Sequence, residues 1–455
     1  MSETPAPAPV TTYADAERAL LARWPETRLE PSLDRIEAFV ELLGEPQRGY
    51  PVIQLTGTNG KTSTSRMIDA LVTATGLRTG RFTSPHVESM TERISLDGEP
   101  LTEEQFLEAY QDVAALADLV DQDAEHPLSF FETLVGMAYA AFANAPVDAA
   151  VVEVGMGGSW DATSVADATV AVLTPIAVDH ASYLGSRPVD IAREKAGIIK
   201  AGSTVVVAVQ PDDVAAVIAE RAAEVGATVL WEGRDFGVEH RVAAVGGQMM
   251  QLRGLRGEYP EVFLPLHGAH QAQNAVLALA AVEAFLGEEP LDVDLVRDAL
   301  AEVTSPGRLE VIRRSPTILL DAAHNPHGAQ ATADAIEDSF LLNPLIGVVG
   351  VMADKDYEGV LAAFEPVMAA IVCTENTTTR TMRAEDLAEV ARGIFGIDRV
   401  YVAPRIQDAI EQAATLAEEG GVFGEAIGSG GVLVTGSVVT VGEARHLLRP
   451  RRRRG

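Results

Sequence analysis

The stretch PVIQLTGTNGKTST (residues 51–64) constrains this chain more than any other. An apolar run, Val52, Ile53 and Leu55, breaks into a glycine-rich turn that carries Lys61, Thr62 and Ser63. Helical spacing of Met67, Ile68, Leu71 and Val72 follows, so the order is strand, tight loop, helix N-terminus. Gly57 and Gly60 let backbone N–H groups approach an anion with no side chain in the way, and the helix dipole adds partial positive charge there. Lys61 has the reach to meet the outer phosphates of a nucleotide, and the hydroxyl of Thr62 or Ser63 can join a magnesium shell. The spacing is not that of G-x-x-x-x-G-K-[ST], because position 55 is Leu55 where that pattern needs glycine. A glycine turn by itself often serves geometry alone; the lysine and two hydroxyls at the helix entry point to nucleotide binding.

Strands elsewhere support a parallel α/β architecture. AAVVEVG (149–155), ATVAVLTPI (168–176) and STVVVAVQ (203–210) are short continuous apolar runs, the pattern of strands covered on both faces. Helical spacing covers 12–24, 32–43 (with Ser32 as the expected N-cap), 102–120, 129–144, 187–200 and 270–287. Residues 80–98 are polar with few apolar anchors and read as a loop beside the site. Residues 228–266 read as an antiparallel hairpin or small added sheet. At 304–308, TSPGR holds both Pro306 and Gly307 and is the expected inter-domain hinge. A second βαβ series then starts, with strands beginning near 316, 345, 369, 398 and 431.

Length and composition set limits. A chain of 455 residues with 47% hydrophobic residues can bury two or three cores, and no unbroken apolar run is long enough to span a membrane. The opening MSETPAPAPVTT has no basic segment and no apolar core, and reads as a disordered lead rather than a secretory signal. Cys373 is the only cysteine, which excludes an internal disulfide and fits a reducing cytoplasm. Thirty-five basic against 66 acidic residues give a net charge of −31, which argues against nucleic acid as a partner. Any anionic substrate must therefore be drawn in by a local positive site. The tail RPRRRR (449–454) reads as a solvated charge block.

Candidate chemistry gathers at strand ends, where open parallel sheets bind ligands. Glu153 ends VVEVGMGG and offers a hard oxygen to a magnesium–nucleotide, or merely an exposed or capping acid. His180, after AVLTPIAVDH, is a second metal candidate, although a lone histidine there is more often structural. Ser84 in FTSPH, at the end of an expected short strand after the loop helix, adds a third hydroxyl. Lys195 in AREKAGIIK reads in isolation as a solvated lysine paired with Glu194. In DAAHNPHG (321–328), Asp321 can hold ribose hydroxyls and His324 can contact phosphate or act as acid or base; the plainer reading is a turn in which Asn325 caps the next helix. Arg308 is placed to clamp phosphates from the second domain. No paired cysteine or H-x-x-x-H spacing indicates structural zinc, and no G-x-S-x-G elbow is present.

Taken together and in order, TGTNGKTS, TSPHVESMTERI, SFFETLVGMA, VVEVGMGGSWDAT, TPIAVDHASYLG, IAREKAGIIK, HQAQNAVLAL, SPGRLE, DAAHNPHGA and TGSVVTVGEAR resemble the folylpolyglutamate synthases. These are often bifunctional with dihydrofolate synthase in bacteria and belong to the ATP-dependent Mur-type ligases. The resemblance covers about residues 30–445 and implies a P-loop Mur-ligase-like N-terminal domain with a parallel central sheet, and a smaller Rossmann-like C-terminal α/β domain. The expected boundaries are 1–12 (lead), 13–304, 305–448 and 449–455 (basic tail).

The resemblance also implies roles. Gly57, Thr58, Asn59, Gly60, Lys61, Thr62 and Ser63 form the phosphate loop; Ser84, Glu153 and His180 bind magnesium, with two ions expected; and Lys195 corresponds to the family's carbamylated lysine. Asn274, Arg308, Asp321 and His324 complete the nucleotide clamp, while His86, Phe130, Phe131 and Asp161 lie on the pterin side. Lys61, Lys195 and His324 are the expected catalytic residues. The implied activity is ATP-dependent addition of L-glutamate to dihydropteroate or reduced folates through an acyl phosphate, by a cytoplasmic monomer with neither nucleic acid nor membrane as partner. A Mur-type cell-wall ligase, suggested by GKTS, and a nucleotide-dependent switch are the alternatives. Ser159 and Ser164 stand where the family pattern has arginine and asparagine, so the substrate-side contacts are expected to differ.

Overall fold

The computed structural model describes residues 10–25, 31–287, 289–419 and 429–449. Most of the expected lead and the basic tail beyond Arg449 lie outside these residues.

The phosphate-loop strand, Val52–Thr56, is central in an eight-stranded sheet. It pairs in parallel with Ala149–Glu153 on one side and Ala168–Leu173 on the other, so that Leu55 lies level with Glu153 and Val172. Thr79–Phe82, Thr204–Val207 and Thr228–Trp231 extend the parallel set, and the short strands Ile94–Leu96 and Glu99–Pro100 close one edge antiparallel. The central strands are buried along their whole length, which is why their sequences are continuous apolar runs rather than alternating ones.

Helix Lys61–Ala74 turns Met67, Ile68, Leu71 and Val72 onto this sheet and packs against helix Ala269–Leu286. Each such fully buried side chain stabilises the fold by roughly 1.5–3 kcal/mol, so the loop between strand and helix is anchored at both ends. A three-stranded antiparallel sheet, Gly237–Ala244, Gly247–Arg253 and Glu258–Leu264, covers the outer end of the same core.

A six-stranded sheet forms the second body, in the order Glu310–Arg314, Thr317–Leu320, Ser429–Thr435, Leu342–Val349, Ala370–Cys373, Val400–Val402. All its neighbours are parallel except the first pair. Both large sheets have the C-terminal ends of their parallel strands at a single cavity.

Several expectations change. Residues 80–98 are not one loop: Phe82, Met90 and Ile94 are fully buried, and Arg81 is buried against Asp69 and Ser95. Paired buried arginine makes a core strand look polar in sequence. Thr228–Trp231 belongs to the main sheet, and only 237–264 forms the small antiparallel one. Ser32 sits one residue before the helix cap, Leu33, and its Oγ accepts from the Asp34 amide at 3.0 Å. The helical stretch at 187–200 is an α-helix only over Pro188–Lys195. The strand Glu310–Arg314 was not expected, because as an edge strand with two arginines it carries little apolar signal.

Candidate active site

The cavity between the two bodies has a volume of about 1140 Å³. Every residue expected at the site lines it, except His86 and Phe130. His86 turns back under its own loop, where Nδ1 accepts from Arg93 Nε at 3.0 Å; burial and the Arg93 charge push its pKa down to about 4. Phe130 and Phe131 open one helix and project about 100° apart, so only one can face the cavity. Phe130 goes into the core with the Arg93 guanidinium 4.9 Å from its ring centre, and Phe131 faces the cavity.

The phosphate loop is held by backbone conformation that its glycines permit. Gly60 is the N-cap of helix Lys61–Ala74 at φ +90°, and a Cβ on it would lie 2.5 Å from Asn274 Oδ1. Lys61 folds over the loop and donates to Gly57 O at 3.1 Å and Thr58 O at 3.3 Å. Burial pushes its ammonium pKa down, against the pull of Glu153 and Asp179. Thr58 and Asn59 are already engaged: Thr58 Oγ1 donates to Ala177 O, and Asn59 exchanges amide hydrogen bonds with Asn325 of the second body.

Glu153 is buried at the end of its strand. Both its oxygens accept from Thr62 Oγ1, at 3.1 and 3.0 Å, and the nearby Ser84 amide favours its charged form. Burial raises its pKa, opposed by Lys61, Thr62 and Arg308. The Ser63 hydroxyl instead meets Ser305 Oγ at 3.0 Å, tying the loop to the segment between the bodies; of the two candidate hydroxyls, Thr62 is the one beside Glu153.

Among the described residues no three His, Cys, Asp or Glu side chains form a ready metal cage. That suits magnesium, which is usually held by one or two carboxylates with phosphate and water completing its octahedron. A buried carboxylate whose charge burial disfavours is the donor that a dication would relieve, and the neighbouring Ser84 and His180 line the same cavity. Burial lowers the His180 pKa to about 4, leaving a neutral imidazole. The residues present therefore fit the ion.

Lys195 is not a solvated surface lysine. It is 4% exposed, and no ion pair to its ammonium is found among the described residues. Burial, followed by the nearby Lys61 charge, pushes its pKa down to about 7. Its expected partner Glu194 accepts instead from the amide and hydroxyl of Ser159, at 2.8 and 2.6 Å. Asp161 caps a short turn through Thr163 and Met156, so its carboxylate is committed to shaping the loop even where it borders the cavity.

From the second body, Asp321 accepts from the Leu309 amide at 2.8 Å and the Ala323 amide at 3.0 Å, and from Thr332 Oγ1 at 2.8 Å. Both its oxygens are thus engaged within its own sheet edge, and burial raises its pKa. Asn325 caps helix Pro326–Ser339 through the Gly328 amide, as the plainer reading of that motif had it, and also reaches across to Asn59. His324 places Nε2 3.3 Å from Asp179 Oδ2 and Nδ1 2.9 Å from Ala322 O.

Two residues in this constellation were missed from sequence. Asp179 receives Lys355 Nζ at 2.5 Å and Asn325 Nδ2 at 3.1 Å as well as His324. Burial raises the Asp179 pKa, but the His324 hydrogen bond and the neighbouring His324, His180 and Lys355 outweigh it and hold the carboxyl well below its usual range. The available signals were weak ones: Asp179 adjoins a metal candidate, and Lys355 follows the run LIGVVGVM at a strand's C-terminal end.

Comparison with known proteins agrees with this geometry. The Mur ligase middle domain matches residues 55–282, and the Mur ligase glutamate ligase domain matches residues 307–438. The chain is 50% identical to the dihydrofolate synthase/folylpolyglutamate synthase of Mycobacterium tuberculosis, over 97% of this chain and 95% of that one. A solved structure of the M. tuberculosis folylpolyglutamate synthase with ADP superposes with a TM-score of 0.93 at 50% identity, covering 96% of this chain and 98% of that one. A folylpolyglutamate synthase complex with AMPPCP and folate superposes at 0.84 with 30% identity, covering 97% and 100%. A nucleotide loop facing a second α/β body across one cavity, with relatives matched over nearly their full length, leads to one assignment: the chain belongs to the folylpolyglutamate/dihydrofolate synthase family of the Mur ligase superfamily.

Proposed function

We propose that this protein is the ATP-dependent ligase that adds L-glutamate to dihydropteroate and to folates. The observation that carries this reading is the single cavity bounded by the phosphate loop, the buried Glu153 and the second body's Arg308, Asp321 and His324. A carboxylate acylates poorly, so ATP first converts it to an acyl phosphate; the glutamate amine then attacks the acyl carbon and phosphate leaves.

This chain's own residues divide that work. Lys61 and the loop amides hold the phosphates and offset charge on the transferring group. Thr62, Glu153, Ser84 and His180 would hold magnesium, with room for a second ion; magnesium, when bound, supplies Lewis-acid charge neutralisation at the phosphates. Arg308 and His324 reach the nucleotide from the second body, with residues 304–308 as the hinge between domains 13–304 and 305–448. Closure excludes the water that would hydrolyse the acyl phosphate. Asn274 and Asp321 border the nucleotide, while Phe131 and Asp161 face the pterin.

Lys195, half neutral near pH 7, is a competent amine for carbon dioxide. Carbamylation would turn a buried cation into an anionic oxygen donor; native mass spectrometry before and after bicarbonate removal tests it. The single cysteine, Cys373, leaves no internal disulfide to form, which supports a reducing cytoplasm. A monomer is proposed, to be checked by light scattering. No helix among the described residues is long and apolar enough to cross a membrane.

The deciding experiment supplies ATP and glutamate with dihydropteroate, with tetrahydrofolate, or with a UDP-muramyl acceptor, and identifies products by mass spectrometry. Glutamylated pterin products are expected. Product only from the muramyl acceptor, or ADP release that does not rise with glutamate, refutes the assignment.

A further inference from the structure

Among the polar clusters of the two bodies, one carboxylate has an unusual set of partners. Asp179, from the phosphate-loop body, receives Lys355, His324 and Asn325, and all three belong to the second body. Its side chain is 9% exposed and that of Lys355 is 12% exposed, so this is a largely desolvated anion at the seam. Lys61 and Arg308 border the same cavity, and Lys61 is within electrostatic range of Asp179, Lys355 and Arg308.

Lys355 is rigidly mounted. It follows the strand Leu342–Val349, whose last five residues are buried; its amide donates to Met352 O at 3.2 Å, and Asp356 caps the following helix, Tyr357–Phe364, through the Gly359 amide at 2.9 Å. Its ammonium also lies 3.5 Å from His180 Nε2, next to the side chain expected at the metal. A chain with a net charge of −31 must concentrate cations wherever it receives a triphosphate. This ammonium is therefore at the point where phosphate is expected, yet it is neutralised by a carboxylate of the opposite body.

We propose that Lys355 is a catalytic residue that grips the transferred phosphoryl group, and that Asp179 holds Lys355 and His324 in place of that group until the nucleotide arrives. Asp179 and the terminal phosphate compete for the same donors, so the exchange leaves each donor bonded while the bodies come together on the nucleotide. The inference rests on the proposed ATP-dependent ligation, since it assigns a role within that reaction. It requires Lys355 to distinguish a triphosphate from a diphosphate.

The test measures binding of magnesium–ADP and of magnesium with the non-hydrolysable β,γ-methylene ATP analogue by calorimetry, in the wild type, Lys355→Met, Lys355→Arg and Asp179→Asn. A hydrogen bond from a charged donor accounts for roughly ten- to hundredfold in affinity. Lys355→Met is expected to weaken the analogue by at least about tenfold and to leave ADP within about twofold, which also reports an intact loop. Its kcat is expected to fall about 100-fold while the KM for glutamate is unchanged. Lys355→Arg is expected to retain part of the analogue's affinity. Asp179→Asn, which removes the competing charge, is expected to bind the analogue at least as tightly as the wild type. Equal loss of ADP and analogue in Lys355→Met, or no loss of either, overturns the proposal. So does an Asp179→Asn variant that loses analogue affinity as Lys355→Met does. Wild-type turnover in the same series separates the two levels: if no glutamate-dependent ADP release occurs, the ligase reading fails, whereas the binding contrast reports on Lys355 alone.

Discussion

Gly57→Ala tests whether the phosphate loop is held by close packing against the neighbouring strand. The Gly57 φ of +148° lies where L-residues are strained, at a cost of about 1–3 kcal/mol. A Cβ there would lie 1.8 Å from Thr174 Oγ1 and 2.9 Å from both Thr174 Cβ and Thr174 O. Turning the threonine side chain relieves only the first of these contacts. Thr174 is fully buried and its amide donates to Thr56 O at 2.9 Å, so the strand end itself must shift. Overpacking of this kind adds about 1–3 kcal/mol, for a total of about 2–6 kcal/mol. If the phosphate-loop body unfolds as a unit of about 290 residues, its unfolding entropy is about 0.6 kcal/mol/K, and Tm should fall by roughly 3–10 °C. Displacing the loop amides should also weaken ADP at least about tenfold. Gly76→Ala is the control: φ is +89° but nothing lies within 4 Å of the added Cβ, so only the backbone strain remains. Thermal unfolding and ADP titration of both variants decide the matter. Equal Tm shifts for the two, or unchanged ADP affinity in Gly57→Ala, would refute the packing argument.

Glu153→Ala is expected to lower kcat by at least about 100-fold with a near-native circular dichroism spectrum; normal turnover would remove Glu153 from the site. In the unmodified chain the Lys195 pKa of about 7, against about 10.5 for an ordinary exposed lysine, means that the unfolded state binds more protons between those pH values. Stability should therefore rise as pH increases from 7 towards 10.5, by up to about 5 kcal/mol. Lys195→Met should flatten that rise, as read from denaturant midpoints across the range. Arg445 lies between Glu88 of one body and Glu310 of the other, with its side chain 6% exposed. Arg445→Met leaves Glu88 with only the half-exposed Arg449 and Glu310 with the Gly307 amide, and should cost about 2–3 kcal/mol. Restoring part of that loss with Glu88→Gln would confirm the pairing, and additive losses would exclude it.

The phosphate loop and its flanking elements were legible because local chemistry and local geometry coincide there: an apolar run, two glycines at positive φ, and a lysine at a helix start. Glu153 was legible for the same reason, since a strand buried on both faces announces its own end. His86 and Phe130 were misplaced because position in a motif does not reveal which way a side chain faces. The short strand expected before Ser84 is present as Thr79–Phe82, while the polar stretch at 80–98 hid Ile94–Leu96, since Arg81 is polar only until Asp69 and Ser95 partner it.

From residue order alone came the α/β rhythm, the nucleotide loop and the family, since periodicity and motif spacing are properties of neighbours along the chain. Tertiary structure decided which hydroxyl faces Glu153, that Lys195 is buried and near neutrality, and that Lys355 meets Asp179 across 176 residues. Those outcomes depend on desolvation and on charges from distant segments, and neither exists until the two sheets face each other.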